Sequence, residues 1–320
     1  MDAILKSFLI AVTDSPAGND LSIERTVLSE MRVALYQERT KEGLIDVLRD
    51  CDAVMCMHVS LSREVIEEMR HCKVIVRYGT GLDNIDLPAA ALRGIPVVGI
   101  HNYCTEEVAE HVLALLLAWN RKIAAYDSFV RRGRWNQRRE STGNWGCGQL
   151  FRLSNQTLGL VGFGLTGRAV AQRALAFGMK VIAYSRSSRP GDHDMGVRMT
   201  TKNELLATSD YVSLHMPLTA ETTGWLDMET ISLMKRGAVL INTARGGLVA
   251  EDAVIRSLSS GQLGGALLDV YHKAPLPLDH PLRSLSNVIF TPHVAFYSED
   301  SLSELRHKAA EAVRDHLAVD

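Results

Sequence analysis

Four polar residues each stand just beyond a short apolar run in the second half of this chain of 320 residues. His215 follows the run 211–214, Arg245 the run 238–241, Asp269 the run 266–268 and His293 the run 288–290. An arginine beyond a buried strand is costly unless it is paired, and its planar fork suits a carboxylate. A histidine is the natural proton donor or acceptor near neutral pH. Each also has a plainer reading: a structural ion pair for Arg245, a satisfied loop histidine for His293.

A glycine turn tips the balance. Residues 157–186 read strand, tight turn, helix, strand, with Gly162, Gly164 and Gly167 in G-x-G-x-x-G spacing. Gly162 permits the turn, Gly164 lets backbone approach a pyrophosphate, and Gly167 lets the helix pack close to the strand. The helix N-terminus then offers free N–H groups and the positive dipole end to phosphates. Beside a dinucleotide unit, one arginine and one histidine at strand ends predict hydride transfer to a 2-keto acid. The arginine would orient the carboxylate and carbonyl, and the histidine would protonate the oxygen as hydride reaches the carbon.

The elements that must position these residues alternate in the manner of α/β proteins. In 1–103, apolar runs at 8–12, 33–36, 53–57, 74–76 and 97–100 alternate with helical segments at 21–31, 41–49, 62–69 and 87–93. That argues a parallel sheet with helices on its faces. A glycine cluster at 78–86, YGTGLDNID, follows one strand; spacing alone favours a plain strand-to-helix loop. From Thr105, a plausible N-cap, one long helix is expected to run to about residue 133, its first half buried. A polar stretch, 133–156, reads as a linker or arm. Alternation then resumes to a final helix at 299–317. In open α/β sheets ligands bind beyond the carboxyl ends of the strands, where all four polar residues lie.

Composition narrows the class. Apolar content is 46%, charged content 22% and net charge −2, so nothing points to nucleic acid or an anionic membrane surface. Five cysteines (51, 56, 72, 104 and 147) form no C-x-x-C pair and read as reduced thiols of a cytoplasmic protein. The N-terminal apolar run is six residues long and is followed by Asp14, which suits a first strand rather than a signal peptide or membrane span.

Five stretches together resemble the D-isomer-specific 2-hydroxyacid dehydrogenases, the family of phosphoglycerate dehydrogenase, glyoxylate/hydroxypyruvate reductase and the C-terminal-binding corepressors. They are RYGTGLDNIDLPAAALRGIPV (77–97), CTEEVAEHVLALLLA (104–118), GLVGFGLTGRAVA (159–171), INTARGGLV (241–249) and TPHVAFYSEDSL (291–302). The resemblance implies two Rossmann-like domains with doubly wound parallel sheets. A discontinuous substrate domain would comprise 1–103 and 294–320, and a dinucleotide-binding domain 104–293. It implies an oxidoreductase using NAD or NADP, a small 2-keto or 2-hydroxy acid as partner, and a homodimer. It makes Arg245 the substrate-orienting arginine and His293 the acid/base. Leu165 and Thr166 would face the pyrophosphate, His215 and Pro217 the adenine end, Thr243 and Ala244 the nicotinamide ribose, and Asp269 the nicotinamide. Backbone at Thr80 and Gly81 would hold the substrate carboxylate, which replaces the plain-loop reading of 78–86.

Two departures stand out. NAD-preferring folds place an acid about 20 residues after the glycines, on the ribose 2′-OH. Here the strand ends Tyr184-Ser185-Arg186-Ser187-Ser188-Arg189. No acid is present, and Arg186, with Arg189 as a second candidate, could pair with a 2′-phosphate, so NADP(H) is expected over NAD(H). Second, the family's catalytic glutamate falls at Ala274, which offers no hydrogen bond to an imidazolium. Asp279, Glu299 and Asp300 are candidate replacements. The alternatives to a working reductase are a dinucleotide-binding member with little catalysis, like the corepressor branch in role, and a member with altered chemistry.

Overall fold

A computed structural model describes residues 8–133 and 149–318. The chain divides into two compact units, Met1–Cys104 with Tyr297–Asp320, and Thr105–Phe296.

The first unit opens with β1 (Leu9–Val12), α1 (Ser22–Val27), β2 (Arg32–Leu35), α2 (Lys41–Leu48) and β3 (Ala53–Cys56). It continues with α3 (Arg63–Glu67), β4 (Val74–Arg77), α4 (Leu87–Leu92) and β5 (Val97–Gly99). Its five strands form a parallel sheet in the order β2-β1-β3-β4-β5. The strands are short, apolar and fully buried at β3, as expected of a sheet covered on both faces.

The second unit begins with α5 (Thr105–Arg121) and α6 (Ile123–Arg131). The single long helix expected here is broken at Lys122, which adopts a left-handed backbone with φ 54°. The Lys122 amide donates to the Trp119 carbonyl and its ammonium sits 3.5 Å from the Trp119 ring centroid. Much of the linker expected at 133–156, with Cys147, lies outside the described residues. Then follow β6 (Thr157–Val161), α7 (Leu165–Ala176), β7 (Lys180–Tyr184), β8 (His193–Asp194), β9 (Val197–Met199), α8 (Lys202–Thr208), β10 (Tyr211–Leu214) and α9 (Met228–Ser232). The unit ends with β11 (Ala238–Asn242), α10 (Glu251–Ser260), β12 (Leu263–Leu268) and β13 (Val288–Phe290). Its sheet runs β13-β12-β11-β10-β6-β7-β9-β8, parallel except for the β8–β9 hairpin.

Side chains alternate along these strands and supply two cores. Leu158, Leu160, Val239 and Ile241 pack with residues of α5 and α7 on one face. Val161, Val212, Leu214 and Leu240 pack with residues of α8, α9 and α10 on the other. The sheet is therefore doubly wound, and its strand order reverses at β10-β6-β7. Among the described residues no helix is long and apolar enough to cross a membrane.

The last helix, α11 (Glu299–Leu317), returns to the first unit. A buried charge network fixes it there. Arg306 donates to both carboxylate oxygens of Glu24 (2.7–3.2 Å), to Asp20 Oδ2 (3.0 Å) and to the Asp20 carbonyl (2.8 Å). Tyr78 donates its hydroxyl to Glu24 at 3.0 Å. Glu24 and Tyr78 are 0% exposed, so the pair is affordable only because every lone pair finds a donor. Burial, then Glu24, pushes the Tyr78 phenol well above its ordinary range, which keeps it a donor.

Arg306→Met would strand a buried carboxylate, a defect that costs about 3–5 kcal/mol. Urea denaturation should show a loss of that order, and Glu24→Gln in the same chain should recover much of it.

Candidate active site

The glycine turn is built as its spacing requires. Gly162 ends β6 with φ +99°, and a Cβ there would lie 2.5 Å from the His215 carbonyl oxygen. A Cβ on Gly167 would lie 2.5 Å from the Gly162 carbonyl. Gly164, by contrast, faces open space and is the N-cap of α7, with Leu165 and Thr166 in its first turn. Leu165 is 56% exposed. The open start of this twelve-residue helix, at the reversal of strand order, suits a pyrophosphate.

Beyond β7 lies a cavity of about 470 Å³, lined among others by Ser185, Arg186, Ser188, Lys202 and Asn203. Arg186 reaches into an ion pair with Glu221, from the loop after β10. The sequence reading found no acid at this strand end; the fold supplies one from 35 residues away. Lys202 donates to Thr230 Oγ1 at 3.1 Å and stands 4.7 Å from the Trp225 ring centroid, which stacks on Tyr184.

His215 directly follows β10. Its Nε2 lies 2.9 Å from Ser213 Oγ, and burial drives its pKa down to about 4. Pro217 follows, its carbonyl accepting from Thr222 Oγ1 at 2.7 Å. At the end of β11, Asn242 accepts from the Ala244 amide (3.1 Å) and donates to the Arg245 carbonyl (2.9 Å). That side chain shapes the turn carrying Thr243, Ala244 and Arg245. Thr243 Oγ1 is, among the described residues, the buried side-chain polar atom with no hydrogen-bond partner. An orphaned hydroxyl on this edge fits a bound dinucleotide, as does the bare start of α7. Gly246 follows Arg245 and admits nothing larger, since a Cβ would meet the Tyr271 carbonyl at 2.0 Å.

Asp269 and His293 are tied together. Asp269 is 0% exposed, and its carboxylate accepts from Thr291 Oγ1 (2.6 Å), the Val294 amide (3.0 Å) and the Ala295 amide (2.9 Å). Its carbonyl accepts from the His293 amide at 2.9 Å. Asp269 thus holds the 291–295 loop in place. His111, on α5, reinforces this from behind, with Nε2 at 2.9 Å from Thr291 Oγ1 and 3.7 Å from Asp269 Oδ1. His293 has φ +56°, and its ring meets Phe296 edge-on at 6.1 Å. Because β11, β12 and β13 are neighbours in register, Arg245, Asp269 and His293 leave the sheet side by side at one edge. Glu299, one candidate replacement for the absent glutamate, accepts from Tyr297 Oη at 2.7 Å.

Thr80 and Gly81 belong to the first unit. Thr80 Oγ1 donates to the Ile100 carbonyl at 3.0 Å, and the Ile100 amide to Gly79, which has φ +124°. At the same sheet edge Asp14 accepts from the Met57 amide (2.9 Å) and the His58 amide (2.6 Å), joining the loops after β1 and β3. Burial lowers the His58 pKa, Asp14 opposes that, and Arg77 and Arg39 add to it. No local signal in the sequence pairs Asp14 with His58.

The chain is similar in sequence and fold to known proteins. A family model described as D-isomer specific 2-hydroxyacid dehydrogenase, NAD binding domain, matches residues 113–295. A glyoxylate reductase of Korarchaeum cryptofilum is 36% identical over 274 residues, 85% of this chain and 81% of that one. An acyclic imino acid reductase in complex with NADPH and D-Arg superposes with a TM-score of 0.86 or better (0.87), at 31% identity and 97% coverage of both chains. A D-lactate dehydrogenase of Aquifex aeolicus, complexed with NAD and lactic acid, gives 0.86 at 30% identity, covering 97% of this chain and 95% of that one.

The half-buried His215 ring predicts an acid limb of stability. The unfolded ring, near 6.5, takes up a proton that the folded ring, near 4, refuses. Stability is therefore full above about pH 7 and falls as pH drops through that window, by about 2 kcal/mol at pH 5. Urea midpoints between pH 8 and 5 should fall less steeply for His215→Gln than for the parent chain.

Proposed function

The chain belongs to the D-isomer specific 2-hydroxyacid dehydrogenase family and transfers hydride between a nicotinamide cofactor and a 2-keto or 2-hydroxy acid, and from that premise we propose an NADPH-dependent 2-keto acid reductase. The observation that carries the cofactor choice is the cavity beyond β7, with Ser185 and Arg186 in its wall and no acid in residues 184–189. The imino acid reductase that resembles this chain was solved with NADPH and the D-lactate dehydrogenase with NAD, so both cofactors occur among its structural neighbours.

In this reading the amides of Leu165 and Thr166 take the pyrophosphate at the start of α7. Ser185 and Arg186 take the ribose 2′-phosphate, His215 and Pro217 flank the adenine end, and Thr243 and Ala244 flank the nicotinamide ribose. The reduced nicotinamide supplies the hydride. Arg245 binds the substrate carboxylate and carbonyl through its fork, which fixes the carbonyl carbon for attack. Backbone at Thr80 and Gly81 holds the same carboxylate. His293 donates its proton to the carbonyl oxygen, so that the alkoxide never forms free. Asp269 acts on the nicotinamide side by fixing the loop that carries His293.

We place the enzyme in the cytoplasm as a homodimer. Helix α6 buries none of its residues and leaves Ile123 58% and Val130 45% exposed, an apolar stripe suited to a second copy. Ala274 favours a second reading, a dinucleotide-binding member with little or altered catalysis, because alanine supplies no carboxylate where the family has one.

Loss of NADPH absorbance with glyoxylate, hydroxypyruvate, pyruvate and bulkier 2-keto acids decides between them. Turnover is expected. His293→Ala should lower kcat by about 10²–10⁴ with cofactor binding kept. Arg245→Met should lower kcat/KM about a hundredfold or more by removing charge-assisted bonds. NADPH binding without turnover on any acid would select the second reading.

A further inference from the structure

Arg186 and Glu221 meet across the glycine turn. Strands β7 and β10 both pair with β6, one on each side, so the loops that follow them flank the turn at Gly162. Arg186 stands two residues past β7 and Glu221 seven past β10. Their side chains join at 2.5 Å, Nη1 to Oε2, although both are about 70% exposed (67% and 75%). The loop presenting Glu221 is not slack. The Thr219 amide donates to Thr222 Oγ1 at 2.7 Å, Thr222 Oγ1 reaches the Pro217 carbonyl at 2.7 Å, and Thr222 itself is 6% exposed.

Two opposed charges thus meet at the pocket's edge, Arg186 in its wall and Glu221 on the loop that pairs with it. Dinucleotide folds usually carry an arginine there or an acid, the first pairing with a 2′-phosphate and the second accepting from a 2′-hydroxyl. Here the acid comes from another loop and occupies the arginine. A 2′-phosphate arriving at Arg186 must displace Glu221 and tolerate its carboxylate nearby. A 2′-hydroxyl meets an acceptor and need displace nothing.

We infer that Glu221 is a specificity-determining residue of the cofactor pocket: it holds Arg186 as a removable counter-ion and thereby limits how strongly NADPH is preferred over NADH. The inference rests on the reading of Arg186 as the 2′-phosphate ligand.

The test is direct binding of NADPH and NADH to the full chain, followed by quenching of protein fluorescence or by calorimetry at fixed low salt. Four proteins are compared: parent, Glu221→Gln, Arg186→Met and the double variant, with Glu221→Lys as a second probe of the same position. Glu221→Gln should tighten NADPH about two- to fivefold, the range open to an exposed ion pair, with NADH unchanged or weaker. Glu221→Lys should raise the NADPH:NADH affinity ratio further. In the Arg186→Met chain the Glu221→Gln effect should shrink, because the pair no longer exists. Raising salt should erode the gain from Glu221→Gln. An affinity ratio unmoved by either Glu221 change overturns the inference. A parent chain that prefers NADH, with the ratio still raised by Glu221→Gln, overturns the reading of an NADPH preference and leaves the role of Glu221 supported.

Discussion

A parallel strand reaches its parallel neighbour only through a crossover that carries the chain back over the face of the sheet. Every strand therefore ends at the same edge, and every strand-to-helix loop collects there. Both units of this protein obey that geometry, the second in all but its short β8–β9 hairpin. It is why residues as far apart in sequence as Gly162, His215, Arg245, Asp269 and His293 leave the sheet on one side. Where strands are also neighbours in register, as β11, β12 and β13 are, the loops stand in line and their side chains can act on one small molecule.

An edge made of loops has a cost, because loop amides and carbonyls lack the ladder partners that strands provide. Short polar side chains meet that need here. Asn242 both accepts from and donates to its own turn. Thr222 fastens the loop after β10. Asp14 gathers amides from the loop after β3. Asp269 does most, taking two amides and a hydroxyl from the 291–295 segment. Hydrogen bonds to a charged acceptor contribute about 1.5–3 kcal/mol each, and these fix the segment in which His293 takes a positive φ.

What the sequence made legible follows from which constraints are local. Gly162 and Gly167 could be read because the close approach of turn, strand and helix leaves room for no other residue. Arg245 and His293 stood out because a polar residue directly after an apolar strand has few structural excuses. The alternation of strands and helices fixed the fold class for the same reason: burial repeats at short range. The break at Lys122 was not legible, since a lysine in a left-handed conformation leaves no mark of type or spacing. Glu221 and Asp14 were invisible because their partners lie 35 and about 44 residues away and neither belongs to a motif. The hydrogen bonds by which Asp269 holds the 291–295 loop needed the loop geometry itself.

The network around Arg306 also orders events in time. Its partners Glu24 and Asp20 lie 282 and 286 residues earlier in the chain. During synthesis the whole of the second unit emerges before α11 does, so it can fold on a ribosome while the first unit still waits with a buried acid unanswered. The first unit is sealed only once α11 has followed the second unit out. A polypeptide lacking α11 would keep the core of the second unit, while in the first unit Glu24 would have lost its arginine.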